Sequence, residues 1–181
     1  MKRLIVHLWV NGVEPVILSL DDYFRNRDEM GNENWANLEA LDLTLFEDTV
    51  SALLEGREVH LPHFNFITGK KEWDKKAIRL GKGQPILVEG LHALNPRLTY
   101  FVPGYQCIRV YLSALTQLTI NDHNRISTSD SRLLRRLVRD FQFRGNGPEH
   151  TLMVWDNVRQ GEERNIFQYQ DRANVVFNTA L

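Results

Sequence analysis

The sequence contains almost no cysteine and no long apolar run, and these absences exclude two classes of protein. Among its 181 residues there is one cysteine, Cys107, so no disulfide framework can exist. No segment approaches the roughly 18 consecutive apolar residues of a membrane-spanning helix. The apolar stretch that follows Met1 is too short for a secretory signal peptide. We therefore expect a cytoplasmic protein with no membrane partner.

The sequence also lacks an excess of charge of either sign. It has 22 Lys and Arg against 23 Asp and Glu, a net charge of -1, so no global basic field favours nucleic acid. Its 6 histidines show no ligand spacing on one element, which with a single cysteine argues against a zinc site. Hydrophobic residues make up 43% of the chain, which is typical of a globular protein. With no internal repeat or linker, residues 1–181 are expected to form a single domain.

Two short apolar runs in this sequence end in carboxylates. Residues 16–20 read VILSL and are followed by Asp21 and Asp22, and a second run, ILV, is followed by Glu89 and Gly90. Both runs are typical of buried parallel strands. Ligands of open α/β sheets bind beyond the carboxyl ends of the strands, so these acids are candidates for a functional site. The alternative is that they are loop acids that cap turns.

Hydrophobic periodicity and capping residues predict the remaining elements. We expect helices at residues 2–11, 43–55, 117–126, 130–143 and 148–159. The first is rich enough in β-branched residues for a strand to remain an alternative, and Asp42 is expected to cap the second. Core strands are expected at residues 15–20, 85–89, 106–112 and 173–177. Within residues 57–74 the pattern predicts an edge β-hairpin, placed at 58–68 as a lid. The fold class is therefore α/β, with three layers, a mostly parallel sheet, flanking helices and a small β-hairpin lid.

The expected helix at residues 130–143 carries a stripe of arginines. Five arginines occur between residues 132 and 144, at 132, 135, 136, 139 and 144. The first four follow helical spacing and lie on a different face from the apolar residues. Arginine is suited to bidentate phosphate contact, whereas an exposed face normally mixes Lys and Glu. Because Asp140 is the only acid in this stretch, we favour phosphate contact over a merely solvated face.

The ordered set of motifs resembles the uridine kinase / phosphoribulokinase family of P-loop kinases. In chain order the set comprises a strand ending in DDYF, a helix, a hairpin with HLPHFNF, a strand ending in VEG and the helix RRLVRD followed by RG. The resemblance covers nearly all of residues 3–181. It implies a kinase that transfers the γ-phosphoryl group of ATP, with Mg²⁺, to a hydroxyl of a nucleoside-like or other small alcohol.

The resemblance also implies roles for individual residues. Asp21 matches the catalytic base, and Glu89 matches the acid that holds Mg²⁺ through water. Acceptor contacts are implied for Phe24, Phe64 and Arg136. The lid arginines that face the phosphates are matched by Arg136, Arg139 and Arg144. These roles fit phosphoryl transfer, which depends on positioned charge more than on covalent chemistry.

The phosphate-binding loop of that family has no counterpart in these residues. No G-x-x-x-x-G-K-[ST] occurs, and neither residues 68–71 nor residues 81–83 match it. The resemblance places this loop directly before the helix at 2–11, so the first strand and the phosphate cradle are expected to be missing here. We therefore expect weak or absent ATP binding and no activity from this chain alone. A sheet lacking one strand would expose backbone groups, which leaves room for a homodimer.

The acceptor-side contacts also depart from the uridine kinase pattern. Ala36 stands at the position of an Asp for the ribose hydroxyls, Phe64 and Gly69 replace a Tyr and a His, and Asn146 replaces the last Arg. A site that loses several hydrogen-bond partners loses discrimination for that ligand. We therefore expect an acceptor other than uridine, or a nucleoside held differently.

Three functions are compatible with the sequence to different degrees. The leading one is a kinase domain that uses Asp21 as base. The alternative is a non-catalytic kinase-like domain used for interaction or regulation, which the missing loop favours. Nucleic-acid binding through the arginine helix is disfavoured by the net charge and by the lack of aromatics between the arginines. The expected partner is thus a small-molecule acceptor.

Overall fold

A computed structural model of the protein describes residues 2–31, 37–114 and 126–179. The chain divides into two compact units, Met1–Phe101 and Val102–Leu181. The expected helix at 117–126 lies, except for its last residue, outside the described residues. That residues 1–181 form one domain stays a prediction.

In the first unit, the described residues, 2–31 and 37–101, form three helices and four strands. The helices are α1, Lys2–Val10, α2, Arg27–Met30, and α3, Leu43–Leu54. The strands are β1, Val16–Ser19, β2, Pro62–Asn65, β3, Lys70–Trp73, and β4, Ile86–Glu89. Short 3-10 helices occur at Leu20–Tyr23, Leu38–Ala40 and Pro96–Leu98. Helix α1 confirms the helix predicted at residues 2–11, and the alternative of a strand there is wrong.

Strands β1 and β4 form a parallel pair. Val16 lies opposite Ile86 and Ser19 lies opposite Glu89, so both strands end at the same level. Leu18 is 1% exposed while Ile17 is 39% exposed, because successive side chains of a strand point to opposite faces. The two apolar runs predicted from the sequence are therefore strands with a common carboxyl end.

Helix α3 begins and ends as its sequence predicts. The Asp42 carboxylate accepts a hydrogen bond of 3.1 Å from the Leu45 amide, which satisfies one of the unpaired N–H groups of the first turn. On its apolar face Phe46 and Leu53 are buried. The helix stops before Gly56, which adopts a φ of +72° that a non-glycine residue rarely adopts. This helix supplies much of the core against which the candidate site is built.

The hairpin is displaced from the range 58–68 that the sequence predicted. Strands β2 and β3 pair antiparallel from Pro62 opposite Trp73 to Asn65 opposite Lys70, so the second strand lies beyond residue 68. The displacement arises because the turn at Thr68 and Gly69 connects the two strands instead of ending the element. The broader range, 57–74, does contain the hairpin.

Over residues 102–114 and 126–179, the described part of the second unit, the chain forms two long helices and one parallel strand pair. These are β5, Val110–Ser113, α4, Thr128–Phe143, α5, Pro148–Asn165, and β6, Val175–Asn178. Val110 lies opposite Val175 and Ser113 opposite Asn178. A 3-10 helix at Gly104–Gln106 delays β5 relative to the predicted start at 106. Helix α5 is longer than predicted because it continues through Gly161, which is buried.

Parallel strand pairs with flanking helices place the chain in the α/β class, as the sequence predicts. Parallel strands need long crossover connections, and helices supply them. Within the described ranges, no helix is both long and apolar enough to cross a bilayer.

Candidate functional site

The two carboxyl strand ends meet at Ser19 and Glu89. The Ser19 hydroxyl donates a hydrogen bond of 2.9 Å to Glu89 Oε1, which the parallel register makes possible because the two residues are opposite one another. Glu89 is otherwise exposed. The bond fixes the orientation of a carboxylate that remains open to solvent.

Gly90 allows β4 to end directly beside β1. Its φ is +150°, and a Cβ atom at this position would lie 2.6 Å from Leu20 Cβ. No real Cβ contact is that short, so any other residue would push Leu20 aside. The glycine thus lets Leu20 pack at the start of the 3-10 helix Leu20–Tyr23.

The acidic turn is the 3-10 helix Leu20–Tyr23, which holds Asp21 and Asp22 between two buried anchors. Leu20 is 2% and Tyr23 1% exposed, and the Tyr23 ring packs edge-on against Phe46 at 5.2 Å. Burial raises the pKa of the Tyr23 phenol to about 12. Because its apolar ends are fixed, the turn presents the two partly exposed aspartates immediately after β1.

Asp22 is tied to the hairpin. Its Oδ1 accepts a hydrogen bond of 3.1 Å from the Phe64 amide and lies 3.1 Å from His63 Nδ1. Burial raises the pKa of the Asp22 carboxyl above its ordinary value, although the Phe64 hydrogen bond and His63 act in the opposite direction. Asp22 therefore faces the hairpin.

Three phenylalanines form an aromatic cluster next to the acidic turn. Phe24 lies 5.7 Å from Phe64 and 6.3 Å from Phe66, and the latter two are 5.2 Å apart, all edge-on. Phe64 is only 2% exposed, whereas Phe24 and Phe66 are partly exposed. The surface available to a ligand on this cluster therefore belongs to Phe24 and Phe66. Phe66 was not among the residues predicted from the sequence, although its alternation with Phe64 was the available signal.

The turn of the hairpin is fastened to the start of α2. The Arg27 amide donates a hydrogen bond of 2.8 Å to the Gly69 carbonyl, and Arg27 Nη2 donates one of 3.0 Å to the Phe66 carbonyl. Gly69 has a φ of +68°, and a Cβ atom there would lie 2.8 Å from Arg27 Cβ. A His side chain is thus incompatible with this turn, which accounts for one departure from the uridine kinase pattern. Another, Ala36, lies outside the described residues.

Lys71 attaches the second hairpin strand to the same segment of the chain. Its Nζ lies 2.9 Å from Asp42 Oδ2 with 10% of the side chain exposed, and its amide donates a hydrogen bond of 2.8 Å to Asn26 Oδ1. Burial alone would raise the pKa of Asp42, but hydrogen bonds from Lys71 and the Leu45 amide outweigh it and lower that pKa. The hairpin is therefore bound at several points to Asp22, Asn26, Arg27 and Asp42.

In the second unit, three of the predicted phosphate-contacting arginines surround one carboxylate. Asp140 is 2% exposed. Arg139 Nη2 lies 2.9 Å from its Oδ1, Arg136 Nε lies 3.1 Å from its Oδ2, and Arg144 Nη1 is more distant at 3.9 Å from Oδ1. Burial lowers the pKa of Arg136, although Asp140 opposes that effect. We call Asp140 with Arg136, Arg139 and Arg144 the Asp140 cluster.

A second buried carboxylate, Glu162 of α5, pairs with two further arginines. It is 3% exposed, and Arg132 Nη1 and Arg159 Nη1 lie 2.9 Å and 3.1 Å from its Oε2. The sequence suggested that Asp140 was merely the one acid of a cationic stripe, and it did not suggest Glu162. For Asp140, the sequence did contain a signal for these ion pairs, because it lies four residues from both Arg136 and Arg144, which is ion-pair spacing on a helix.

The described residues contain no group of three or more His, Cys, Asp or Glu side chains that could hold a metal ion. Magnesium does not need such a group, because it usually retains water and is bound by one or two carboxylates together with substrate phosphates. Glu89, exposed at its strand end, fits that kind of contact. The sequence offers no Gly-rich loop to cradle the phosphates of ATP.

The chain is similar to known kinases over most of its length. The Phosphoribulokinase / Uridine kinase family matches residues 19–180. A uridine kinase of Deinococcus deserti is 26% identical over 159 residues, which cover 85% of this chain and 67% of that protein. Uridine-cytidine kinase C of Dictyostelium discoideum is 22% identical over 146 residues, which cover 80% of this chain and 28% of that protein.

Solved structures show the same fold. One of them, assigned to a fructose transport system kinase of Silicibacter sp. TM1040, matches with a TM-score of 0.66 and 15% sequence identity, covering 97% of this chain and 81% of that one. This identity is low enough that the likeness concerns the fold alone. Since the family match extends from the end of β1 to the last strand, the protein belongs to the phosphoribulokinase / uridine kinase family and has a P-loop kinase fold.

Proposed function

We propose that these residues form the acceptor and lid parts of a kinase that transfers the γ-phosphoryl group of ATP to a hydroxyl of a small, nucleoside-like acceptor. The observation that carries the proposal is the meeting of two carboxylate-bearing strand ends, with Asp21 following β1 and Glu89 ending β4 opposite Ser19. This is where open α/β sheets bind ligands.

In the proposed reaction the acceptor oxygen attacks the γ-phosphorus, its proton passes to the Asp21 carboxylate, and ADP leaves. Glu89, oriented by Ser19, would contact Mg²⁺ through water. The arginines of the Asp140 cluster would contribute positive charge toward the phosphates. Each of these roles is electrostatic or positional, as expected for a transfer with little covalent chemistry for the protein to do.

The acceptor would lie against Phe24 and Phe66, whose rings are the accessible part of the aromatic cluster. Phe64 is buried and would support these rings. The polar partners that resemblance assigns to the uracil base are replaced by Phe64 and Gly69. We therefore propose an acceptor with a flat apolar portion and a free hydroxyl that is not recognised as uridine is.

The proposal is tested by assaying the full-length gene product that contains these residues with MgATP and a panel of nucleosides and small alcohols. Asp21→Asn should lower kcat by about 10²-fold or more with the best acceptor, because the proton loses its acceptor. Asp48→Asn, the same change on an exposed face of α3, should leave kcat unchanged. Equal activity of the two variants would contradict the role of Asp21, and uridine as the best acceptor would contradict the altered specificity.

A non-catalytic kinase-like domain is the second candidate, favoured by the lack of a G-x-x-x-x-G-K-[ST] sequence in these residues. Under this proposal the 181-residue chain would bind an interaction partner instead of nucleotide. Calorimetric titration of the full-length gene product with MgATP separates the two: binding in the micromolar range is expected of the kinase and would contradict the second candidate, whereas weak or absent binding is expected from the second candidate.

A further inference from the structure

Asp22 connects the acidic turn to the hairpin through β2. It is the residue that follows Asp21, and its Oδ1 accepts the Phe64 amide hydrogen bond at 3.1 Å while lying 3.1 Å from His63 Nδ1. The side chain of His63 is 66% exposed and that of Asp22 is 29% exposed. The tie is therefore made at the edge of the aromatic cluster, where an acceptor would approach.

We propose that Asp22 is a positioning residue that fixes strand β2, and with it the aromatic cluster, relative to Asp21. The acceptor part of this proposal rests on the proposed kinase function. Asp22 does not touch the acceptor, and it acts through the Phe64 amide and the His63 ring.

The other contacts of the hairpin explain why this one is decisive for β2. Arg27 holds the turn through the Gly69 and Phe66 carbonyls. Lys71 holds β3 through Asn26 and Asp42. Lys71 lies opposite Phe64 in the strand pair, but neither Lys71 nor Arg27 accepts the Phe64 amide hydrogen bond, which goes to Asp22. Loss of Asp22 therefore leaves β2 paired with β3 and loosens it at Phe64, beside the acidic turn.

The charged and titratable groups that face Asp22 are its neighbour Asp21 and His63 of β2. Asp21 repels a second negative charge, while His63 and the Phe64 amide favour it. An uncharged amide at position 22 retains an oxygen that can accept the Phe64 hydrogen bond but loses attraction to His63. Substitution by Asn and by Ala therefore separates the hydrogen bond from the charge.

The experiment compares Asp22→Ala and Asp22→Asn with Asp48→Asn, an exposed control on α3. Amide hydrogen exchange on the 181-residue chain should become about fivefold faster or more at Phe64 in Asp22→Ala, as expected from the loss of one hydrogen bond. Exchange at Lys71 and at Leu45 should not change, because their amides are bound by Asn26 and Asp42. Asp22→Asn should restore most of the protection at Phe64.

A kinetic measurement on the full-length gene product tests the consequence for the acceptor. With the best acceptor of the panel, Asp22→Ala should raise KM by about tenfold and lower kcat less, because a displaced aromatic cluster binds the acceptor more weakly in the ground state and the transition state alike. Asp22→Asn should rescue most of the loss. A variant that only destabilised the fold would change neither KM nor the ratio of the amide exchange rates at Phe64 and Lys71.

Two results would overturn the proposal. One is unchanged exchange at Phe64 in Asp22→Ala, and the other is faster exchange with an unchanged KM. If the full-length protein phosphorylates no member of the panel, the proposed kinase function fails, and the comparison of exchange at Phe64 and Lys71 still decides whether Asp22 fixes β2.

Discussion

Gly69 and Lys71 lie two residues apart in the hairpin, and in each case one neighbouring side chain explains why that residue type occurs there. Gly69 is required because Arg27 fills the space that a Cβ atom would occupy. Lys71 is nearly buried because it reaches the carboxylate that also caps α3. At the residue scale, the hairpin is thus fitted to the segment that precedes it.

The first residue-scale prediction concerns the space at Gly69. Gly69→Ala and Gly83→Ala both place alanine at a positive φ, +68° and +77°, but only the former has a neighbour within 4 Å. We expect Gly83→Ala to cost about 1 kcal/mol and Gly69→Ala about 2–3 kcal/mol of unfolding free energy. Urea denaturation measures both, and equal losses would contradict the close fit of Arg27.

The second residue-scale prediction concerns the pH dependence of the Lys71 contact. Because the pKa of Asp42 is lowered in the folded state, this stabilisation is present above the ordinary carboxylate pKa, about 4, and is lost as the pH falls through the folded-state pKa. Lys71→Met should therefore destabilise the protein at neutral pH, by about 1 kcal/mol or less since Asp42 is partly solvated. The loss should shrink in acid.

The matched control for that experiment is Lys70→Met, which removes the same charge from an exposed neighbour in the same strand. Thermal unfolding at neutral and acid pH should show a pH-dependent loss for Lys71→Met and almost none for Lys70→Met. A loss that is independent of pH would mean that Lys71 acts through packing of its aliphatic stem.

At the scale of elements, helix α4 buries a carboxylate and leaves large apolar side chains exposed. Its one fully buried residue is Asp140, while Leu134 and Phe141 are 61% and 67% exposed. The buried Asp140 carboxylate offsets the positive charge of several arginines, so charge as well as apolar packing stabilises the helix. Arginines that the sequence assigned to phosphates are thereby fixed by a protein carboxylate.

The element-scale prediction is that Asp140 stabilises α4 and its arginines together. Asp140→Asn should cost about 3 kcal/mol, since it leaves buried arginine charge uncompensated. Asp130→Asn makes the same chemical change at an exposed position of the same helix and should cost less than about 1 kcal/mol. Urea denaturation of both variants tests this, and similar losses would indicate that the Asp140 cluster is only a surface network.

At the scale of the whole molecule, apolar surface that parallel strands normally bury remains exposed. In the second unit Val110, Leu112, Val175 and Phe177 are between 43% and 57% exposed, and their register places them on one face of the β5–β6 pair. Buried parallel sheets are covered on both faces, and a contiguous apolar patch marks an interaction surface. We therefore expect the chain to associate with a second copy through this face.

Sedimentation velocity over a range of concentrations measures that association. Leu112→Lys should shift the chain toward the monomer, and its melting temperature should match that of the parent chain at concentrations where both are monomeric. Ile67→Lys, at an isolated apolar residue that is 82% exposed in the hairpin turn, serves as the control and should leave the association unchanged. A monomeric chain at all concentrations would contradict the homodimer.

Local signals in the sequence were sufficient to predict most of the helices and strands and the two strand-end acids of the candidate site. Strand ends at Asp21 and Glu89, the Asp42 cap and the α4 periodicity all depend on neighbours within a few residues, so they could be read directly. The hairpin boundary was misplaced because the turn at Thr68 and Gly69 connects two strands instead of ending the element, and contacts from Arg27 and Asn26 in a distant segment hold that turn and β3 in place.

The sequence by itself therefore determined the α/β class, the kinase family and the place of Asp21 at the end of a parallel strand, because periodicity and motif order are local properties of the chain. Tertiary structure alone decided that Asp22 faces the hairpin, that Phe64 is buried beneath Phe24 and Phe66, and that Asp140 holds the arginines. The first two outcomes depend on partners distant in sequence, whereas the arginines of Asp140 lie within four residues of it and only its burial needed the fold. Burial is fixed only when the elements pack.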